Sequence, residues 1–231
     1  MSLLPKISIR LFSSDQYYLD KCFYSNFYKI RGVKKDSTEK PIVVDLGSMA
    51  GYFTIAALSL GAKRVYSFEP LSENYKVLVQ NISNNVIGDV KPYQIGVYPK
   101  DTILTLEVPK FKDSHFDFSQ VLPITHKTSG ATENVVVFTL DRILATIVNE
   151  TVDILKINIG YAEYDILIGS KLDNVINICG QTILEKGKLD DFKNLMAAKG
   201  FTSCKIAELD ENDSILFFFS KEDINKRFKF E

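Results

Sequence analysis

The segment from Ile42 to Thr54 constrains the fold of this chain most strongly, because an apolar strand pattern runs directly into an acid, two glycines and a helix pattern. Asp45 stands near the end of the apolar run, and Gly47 and Gly51 follow it. Glycine adopts backbone angles that other residues avoid and lets a ligand approach the main chain closely. A helix that begins near Gly51 directs unpaired amide groups towards the same turn. The pattern predicts a strand, turn and helix unit that binds a nucleotide-type cofactor.

A second acid follows the next predicted strand. Residues 64–68 are predicted to form this strand. Glu69 comes directly after it, roughly 20 residues beyond Asp45. Doubly wound folds bind a cofactor ribose at this position, whereas Asp45 would repel a pyrophosphate and favour a cationic ligand or a water bound to an amino group. We therefore predict S-adenosyl-L-methionine as the cofactor. The predicted binding residues are Asp45, Gly47, Ser48, Gly51, Tyr52, Glu69, Pro70 and Gly96.

Four segments carry a family resemblance: VVDLGSMAGYFT, VYSFEPLSENYKVLVQN, FTLDRIL and VDILKINIGYAEYDILIGS. In sequence and in order they resemble FkbM-like methyltransferases, and the resemblance extends roughly from Tyr24 to Phe219. It implies a class I S-adenosylmethionine-dependent methyltransferase fold. It also implies methylation of a hydroxyl group on a sugar or another small molecule.

Alternating strand and helix patterns predict one α/β domain with a Rossmann-like, mostly parallel sheet. Seven central strands are expected, and the last, Ser214 to Ser220, is expected to be antiparallel and to lie beside the fifth, as in class I methyltransferases. Two further strands, Thr102 to Val108 and Asn134 to Phe138, belong to an insertion. We divide the chain into an N-terminal helix and strand cap (1–40), the methyltransferase domain (41–220) and a charged, partly frayed tail (221–231).

In the cap, a helix is expected from about residue 15, and a short strand from Phe27 to Val33. A helix is expected from Ser72 to Asn84, and it is expected to start with a serine cap. Aromatic side chains of the cap, such as Tyr18 and Tyr28, would either cover an acceptor pocket or pack onto the core.

The predicted reaction centre follows the fourth strand, because ligands of open parallel sheets bind beyond the carboxyl ends of the strands. Asn158, Glu163 and Glu185 are the candidate catalytic residues there. Glu163 has an alternative interpretation as a helix first-turn acid, and Glu185 as an ion-pair partner of Lys186 or Lys188. Lys156 is costly to bury alone, so it is expected to contact an acid.

The strand-end sequence departs from the family pattern, which is usually Lys-Ile-Asp-Val-Glu-Gly-Ala-Glu. Asn158, Gly160 and Tyr161 replace the aspartate, the first glutamate and the glycine, and Met49 stands where asparagine is common. An amide cannot act as a general base and is a weaker ligand for a hard cation than a carboxylate. We therefore predict methyl transfer without a bound metal.

These departures leave two alternatives open. One is an amino or nucleic-acid methyltransferase in which Asn158 holds an amine and Tyr161 stacks on a planar acceptor. The other is a protein that binds the cofactor but has a decayed catalytic centre. His115 and His126, in the insertion, could supply a base, but they lack the spacing of a metal site.

Composition narrows the choice of partners. A net charge of -1 gives no general attraction to nucleic acid, although a local basic patch is still possible. We expect a small-molecule or saccharide acceptor. Three widely spaced cysteines, of which Cys179 falls in an apolar strand, are expected to be reduced thiols in the core. No run of eighteen apolar residues and no leader-like start occur, which predicts a soluble, cytoplasmic protein without a membrane partner.

Overall fold

The computed structural model describes residues 5–10, 13–33, 38–85, 88–108, 131–160, 162–185, 187–209 and 214–230. The strands in these ranges are β1 (Ile42–Leu46), β2 (Arg64–Phe68), β3 (Asp89–Tyr93), β4 (Gly96–Val97), β5 (Thr102–Glu107), β6 (Thr132–Phe138), β7 (Val152–Ile157), β8 (Val175–Ile183), β9 (Ser203–Glu208) and β10 (Ser214–Ser220). The helices are α1 (Asp15–Phe23), α2 (Tyr52–Ser59), α3 (Ser72–Asn84), α4 (Leu140–Arg142), α5 (Glu163–Gly169) and α6 (Leu189–Ala198). A π-helical turn, Ile143–Val148, continues α4, and short 3-10 turns lie at Ile30–Gly32 and Ile224–Lys226.

Seven strands form the central sheet, in the order β3-β2-β1-β7-β8-β10-β9. The neighbours from β3 to β8 are parallel, and β10 is antiparallel to both β8 and β9. The predicted Rossmann-like α/β sheet with an antiparallel last strand beside the fifth is therefore confirmed. The chain builds outward from β1 to β3 and then returns to β7 on the other side of β1. This reversal of strand order opens a crevice at the carboxyl ends of β1 and β7.

Burial on both faces explains the apolar strand sequences. All five residues of β1 are buried, because helices cover both faces of a parallel sheet. One face packs around Leu46, Phe68 and Ile157, and the other around Val43 and Phe53.

A second, three-stranded sheet stands beside the central one. β5 and β6 pair in antiparallel register, and β4 adds to β6 in parallel. This confirms two strands within the predicted insertion. The insertion also contacts α3, because Glu133 accepts hydrogen bonds from the main-chain N–H of Ser72 at 3.0 Å and from its hydroxyl at 3.0 Å. Ser72 is the first residue of α3 and makes no cap hydrogen bond of its own, so the predicted serine cap is wrong.

Three local expectations need correction. The segment from Phe27 to Val33 contains a 3-10 turn and no strand. The segment after β10 is packed where it is described, because Phe228 is fully buried with its ring 5.2 Å from that of Phe218. Cys204 is exposed, whereas Cys179 is buried as expected and all three thiols are free.

None of the helices in the described ranges combines the length and the apolar character that crossing a membrane requires.

Candidate active site

An open cleft, here called the strand-end cleft, lies where β1, β2 and β7 end. The strand register places Leu46, Phe68 and Ile157 side by side, so the residues that follow these three strands meet at one edge of the sheet. The atom-free space in and in front of the cleft, which includes open solvent, is about 1080 Å³. Its lining includes Gly47, Glu69, Gly96, Lys156 and Asn158.

Two glycines shape the turn between β1 and α2. Gly47 has a φ of 75° and Gly51 a φ of 84°, in the left-handed region that glycine adopts without steric penalty. A Cβ atom on Gly47 would overlap the carbonyl oxygen of Asn158, and one on Gly51 would approach Leu78 Cδ1 to 2.6 Å. The fold itself therefore requires both glycines. Gly47 lines the cleft, whereas Gly51 packs against α3 and is not part of the lining.

Asp45 is fully buried and does not line the cleft. Its Oδ1 atom lies 2.9 Å from Lys156 Nζ, and its Oδ2 atom accepts a hydrogen bond from the Thr54 hydroxyl at 2.7 Å. A desolvated carboxylate needs a counter-charge and hydrogen bonds, and the protein supplies both internally. The expectation that this acid faces a cationic ligand is therefore corrected.

Lys156 connects this buried acid to the cleft. Besides its ion pair with Asp45, its ammonium donates hydrogen bonds to the carbonyl oxygens of Gly47 at 2.7 Å and of Leu46 at 3.2 Å. The prediction that Lys156 contacts an acid is confirmed. The side chain fixes the end of β1 relative to β7, and it also lines the cleft.

Glu69 is the buried acid that does line the cleft, with an exposed fraction of 5%. Its Oε2 atom accepts from the N–H of Met49 at 2.9 Å, and Oε1 accepts from the N–H of Leu71 at 3.1 Å and from Asn74 Nδ2 at 3.0 Å. Burial raises the pKa of Glu69, and these donors oppose the rise. An ionised carboxylate has about four acceptor positions, so the three donors leave capacity for a ligand hydroxyl.

Met49 holds an uncommon backbone conformation beside Glu69. Its φ is 51°, a left-handed value that asparagine and glycine adopt more readily than methionine. This conformation points the Met49 N–H at the Glu69 carboxylate. The side chain is buried and lines the cleft.

The other predicted cofactor residues also line the cleft: Ser48, Tyr52, Pro70 and Gly96. The Ser48 hydroxyl donates to the main-chain oxygen of Asp45 at 2.8 Å, which stabilises the turn. Burial raises the pKa of Tyr52, and the nearby Asp15 carboxylate raises it further.

Asn158 lies at the end of β7 and lines the cleft on the side opposite Glu69's strand. Its Nδ2 atom donates a hydrogen bond to the Tyr28 hydroxyl at 3.0 Å. Tyr28 comes from the segment after α1, is buried, and has a pKa raised by that burial. Tyr28 thus packs in the core, as one of the two sequence-based interpretations expects, and it also lines the cleft. Its role as a cover for an acceptor stays a prediction.

Glu163 is buried but does not line the cleft. Its Oε1 atom accepts from the N–H groups of Ile159 at 2.7 Å and Gly160 at 2.9 Å, and its Oε2 atom accepts from the Thr182 hydroxyl at 3.2 Å. Burial raises the pKa of Glu163. The carboxylate holds the loop after β7 at the start of α5, so its placement as a catalytic residue is corrected in favour of the helix first-turn interpretation.

Glu185 lies outside the cleft lining, with 79% of its side chain exposed. Its carboxylate pairs with Lys188 at 2.8 Å, and this partner lowers its pKa. The predicted ion pair is what the structure contains, and the predicted catalytic position is corrected.

A sequence model described as the methyltransferase FkbM domain matches residues 45–226, which is most of the chain. The chain belongs to the FkbM methyltransferase family. No curated protein matches it by sequence.

Several solved structures that resemble this FkbM-family chain are described as methyltransferases or methylases, at low sequence identity. An rRNA methylase from Streptococcus thermophilus is 12% identical with a TM-score of 0.50, over 85% of this chain and 93% of that one. A ribosomal protein L11 methylase from Lactobacillus delbrueckii subsp. bulgaricus is 17% identical with a TM-score of 0.44, over 83% and 76%. The first likeness supports the class I methyltransferase fold.

The departures from the FkbM pattern are visible in the described part of the site. Asn158 contacts Tyr28, and Gly160 has a φ of 83°, so neither position presents a carboxylate to the cleft. Within the part of the chain that the structure describes, no group of three or more metal-binding side chains occurs. Tyr161, Lys186, His115 and His126 lie outside the described residues.

Two residues that support Glu69 carry no signal in the sequence. Asn74 donates to its carboxylate, and Arg10 in turn donates to Asn74 at 2.7 Å. Arg10 and Asn74 are 64 positions apart, and no motif connects them. Only the path of the folded chain brings them together.

Proposed function

We propose that this FkbM-family protein binds S-adenosylmethionine in the strand-end cleft and methylates a hydroxyl group of a sugar or another small molecule. The observation that carries the proposal is Glu69, a buried carboxylate that lines the cleft directly after the second strand of a doubly wound sheet. An acid at this position suits the hydroxyl groups of a cofactor ribose.

The residues present fit such a cofactor. Glu69 has acceptor capacity beyond its three internal donors. Next to it, Pro70, Ile95 and Val97 provide an apolar wall for a flat base. The Gly47 turn leaves main chain at the cleft surface.

The cofactor would supply a sulfonium methyl group, and the protein would position the acceptor oxygen that takes it. The acceptor oxygen would bond to the methyl carbon as the bond between that carbon and sulfur breaks, so that S-adenosylhomocysteine leaves and the hydroxyl proton passes to solvent. Such a displacement depends mainly on the alignment of the two reactants. Asn158 and the Tyr28 hydroxyl are neutral hydrogen-bonding groups that can orient such an acceptor. Lys156 is already paired with Asp45, and its charge would repel the cationic sulfonium of the cofactor less than an unpaired lysine would.

A second candidate function is cofactor binding with little or no methyl transfer. The specific observation in its favour is that Glu163 is committed to the loop after β7 and Glu185 faces solvent. Neither acid that the family resemblance would place near the acceptor is available as a base. The amino-methyltransferase alternative depends on Tyr161, outside the described residues, and stays a prediction.

Two measurements test the proposal in sequence. Titration calorimetry with S-adenosylhomocysteine and with a nicotinamide dinucleotide is expected to show binding of the first alone. Methyl transfer from labelled S-adenosylmethionine to a panel of saccharides and small hydroxyl compounds then separates the two candidates. Binding without transfer to any acceptor favours the second candidate, and binding of the dinucleotide alone contradicts both.

A further inference from the structure

An N-terminal strap, residues 5–10, runs along α3 and is held there by asparagine side chains. Asn85 Oδ1 accepts from the N–H of Lys6 at 2.7 Å, and Asn85 Nδ2 donates to the carbonyl of the same residue at 2.7 Å. Asn81 pairs in the same way with Ser8, at 2.6 and 3.2 Å. Each amide thus binds one residue of the strap as a neighbouring β-strand would, which fixes the strap along the helix.

At the end of the strap, Arg10 is fixed by a buried acid. Its Nε and Nη2 atoms donate to the two carboxylate oxygens of Asp15 at 3.0 and 2.7 Å, and Asp15 is fully buried. This two-point geometry is specific to the planar guanidinium group. The remaining Nη1 atom donates to Asn74 Oδ1 at 2.7 Å.

Asn74 connects Arg10 to Glu69 in the cleft. Its Oδ1 atom faces Arg10, and its Nδ2 atom donates to Glu69 Oε1 at 3.0 Å. Arginine only donates hydrogen bonds and an ionised carboxylate only accepts them, so the amide of Asn74 has a single satisfactory orientation. In the reversed orientation its oxygen would face the carboxylate, and its NH₂ group would face the guanidinium.

We infer that Arg10 and Asp15 are positioning residues of the cofactor site, which act on Glu69 through the amide of Asn74. This inference rests on the proposed function, because it takes Glu69 as the group that binds the cofactor. Arg10 and Asp15 precede residue 45, where the match to the FkbM domain begins. The segment before that domain therefore completes the site, although neither residue lines the cleft.

Arg10 and Asn74 are expected to be coupled in their effect on binding. Removing Arg10 allows the Asn74 amide to reverse. Glu69 then loses one hydrogen-bond donor and faces the amide oxygen, which repels the carboxylate. Removing Asn74 withdraws the same donor directly. If Arg10 acts only through Asn74, its removal has no further effect once Asn74 is absent.

Titration calorimetry with S-adenosylhomocysteine on the full chain tests this coupling. Arg10→Ala and Asn74→Ala are each expected to weaken binding by about fivefold to tenfold, the scale of one ordinary hydrogen bond, because the lost donor contacts Glu69 and not the ligand itself. The double variant is expected to bind as Asn74→Ala does. Arg10→Lys is expected to show most of the Arg10→Ala loss, because a single ammonium cannot keep the guanidinium's contacts to both partners.

Asn85→Ala is the matched control, because it loosens the same strap at Lys6 and has no contact with Glu69. It is expected to bind within twofold of the wild type even where its melting temperature falls. Equal losses in Asn85→Ala and Arg10→Ala, or fully additive losses in the double variant, would overturn the inference. If the wild type binds and Arg10→Ala binds equally well, the inference is overturned and the proposed function is not. If the wild type does not bind, both are overturned.

Discussion

The ends of β2 and β7 each place a buried glutamate beneath a loop, and the two acids are held in nearly the same way. Glu69 accepts hydrogen bonds from two main-chain N–H groups and from Asn74. Glu163 accepts from two main-chain N–H groups and from the Thr182 hydroxyl. Burial raises the pKa of both. By burial, partners and pKa direction alone, the two acids cannot be told apart.

They differ in what their remaining acceptor positions face. Glu69 lines the strand-end cleft, whereas Glu163 lies beneath the loop that separates it from the cleft. A buried, strongly hydrogen-bonded acid is therefore as consistent with a structural role as with a ligand contact. Open space next to the carboxylate distinguishes the two.

Asp45 is a third buried acid with a structural role. Removing its ion-pair partner gives the largest expected effect on stability. Lys156→Met leaves the Asp45 carboxylate fully buried without its counter-charge, which is expected to reduce the free energy of unfolding by about 3–5 kcal/mol. The double variant Asp45→Asn with Lys156→Met removes both charges and is expected to lose much less. Urea denaturation measures both. If Lys156→Met is as stable as the wild type, Asp45 does not have the structural role that Glu163 has.

The pH dependence of binding separates Glu69 from Glu163. Because burial holds the pKa of Glu69 above its ordinary value of 4.5, it takes up a proton on acidification before an ordinary glutamate would. Affinity for S-adenosylhomocysteine is then expected to fall, starting above pH 4.5, because a protonated carboxyl group is a poorer acceptor. Calorimetry at a series of pH values measures the fall, and Glu69→Gln should lack it while Glu163→Gln keeps it.

The same pKa shifts act on folding with the opposite sign. Between pH 4.5 and their raised pKa values, the folded chain holds more protons on Glu69 and Glu163 than the unfolded chain does. The contribution of these two carboxyl groups to stability therefore rises as pH falls through that window. Weaker binding in this range thus reflects titration at the site and is not caused by unfolding through these two groups.

Met49 offers a smaller test of the loop that binds Glu69. Met49→Asn places a residue that tolerates left-handed angles at a φ of 51°, with an expected gain of about 0.5 kcal/mol, or roughly 1–2 °C in melting temperature. Met49→Leu keeps the apolar volume without that tolerance and is expected to show no gain. Thermal denaturation compares the two, and equal melting temperatures would show that the backbone at Met49 is not strained.

The smallest expected effect is that of chelation. In the described part of the site, Glu163 is engaged by the loop, Glu185 is paired with Lys188, and Asn158 supplies an amide where the family has a carboxylate. These residues make a poor site for a cation that prefers six or more oxygen ligands. Turnover on any identified acceptor is expected to be unchanged by a chelator. A loss that magnesium restores would place metal-binding acids elsewhere in the cleft.

The sheet could be predicted from the sequence because burial on both faces leaves a continuous apolar signal. The strands Arg64–Phe68 and Ser214–Ser220 and the helix Ser72–Asn84 have their predicted bounds. The segment at Phe27–Val33 could not be predicted, because a short aromatic run is compatible with a strand or with a turn. The packing of Phe228 onto the core could not be predicted either, because most of its neighbours in the sequence are charged or polar.

The candidate site was predicted in position more accurately than in detail. Strand ends place Glu69 and Asn158 at one edge of any parallel sheet, and both line the cleft. The direction of a carboxylate after such a strand depends on partners far away in the sequence, such as Lys156 for Asp45 and Thr182 for Glu163. No local pattern encodes these pairings.

The most direct test of the account is a calorimetric titration of S-adenosylhomocysteine into Glu69→Gln and Glu163→Gln, with melting temperatures measured in parallel. Each variant replaces a buried carboxylate that accepts three hydrogen bonds from the protein by an amide, so both are expected to lose stability. Glu69→Gln is expected to bind about tenfold or more weakly, because it loses charge-assisted hydrogen bonds to the ligand, while Glu163→Gln binds within about twofold of the wild type. Equal affinity losses in the two variants, or a loss in Glu163→Gln alone, would contradict the assignment of Glu69 as the ligand-facing acid.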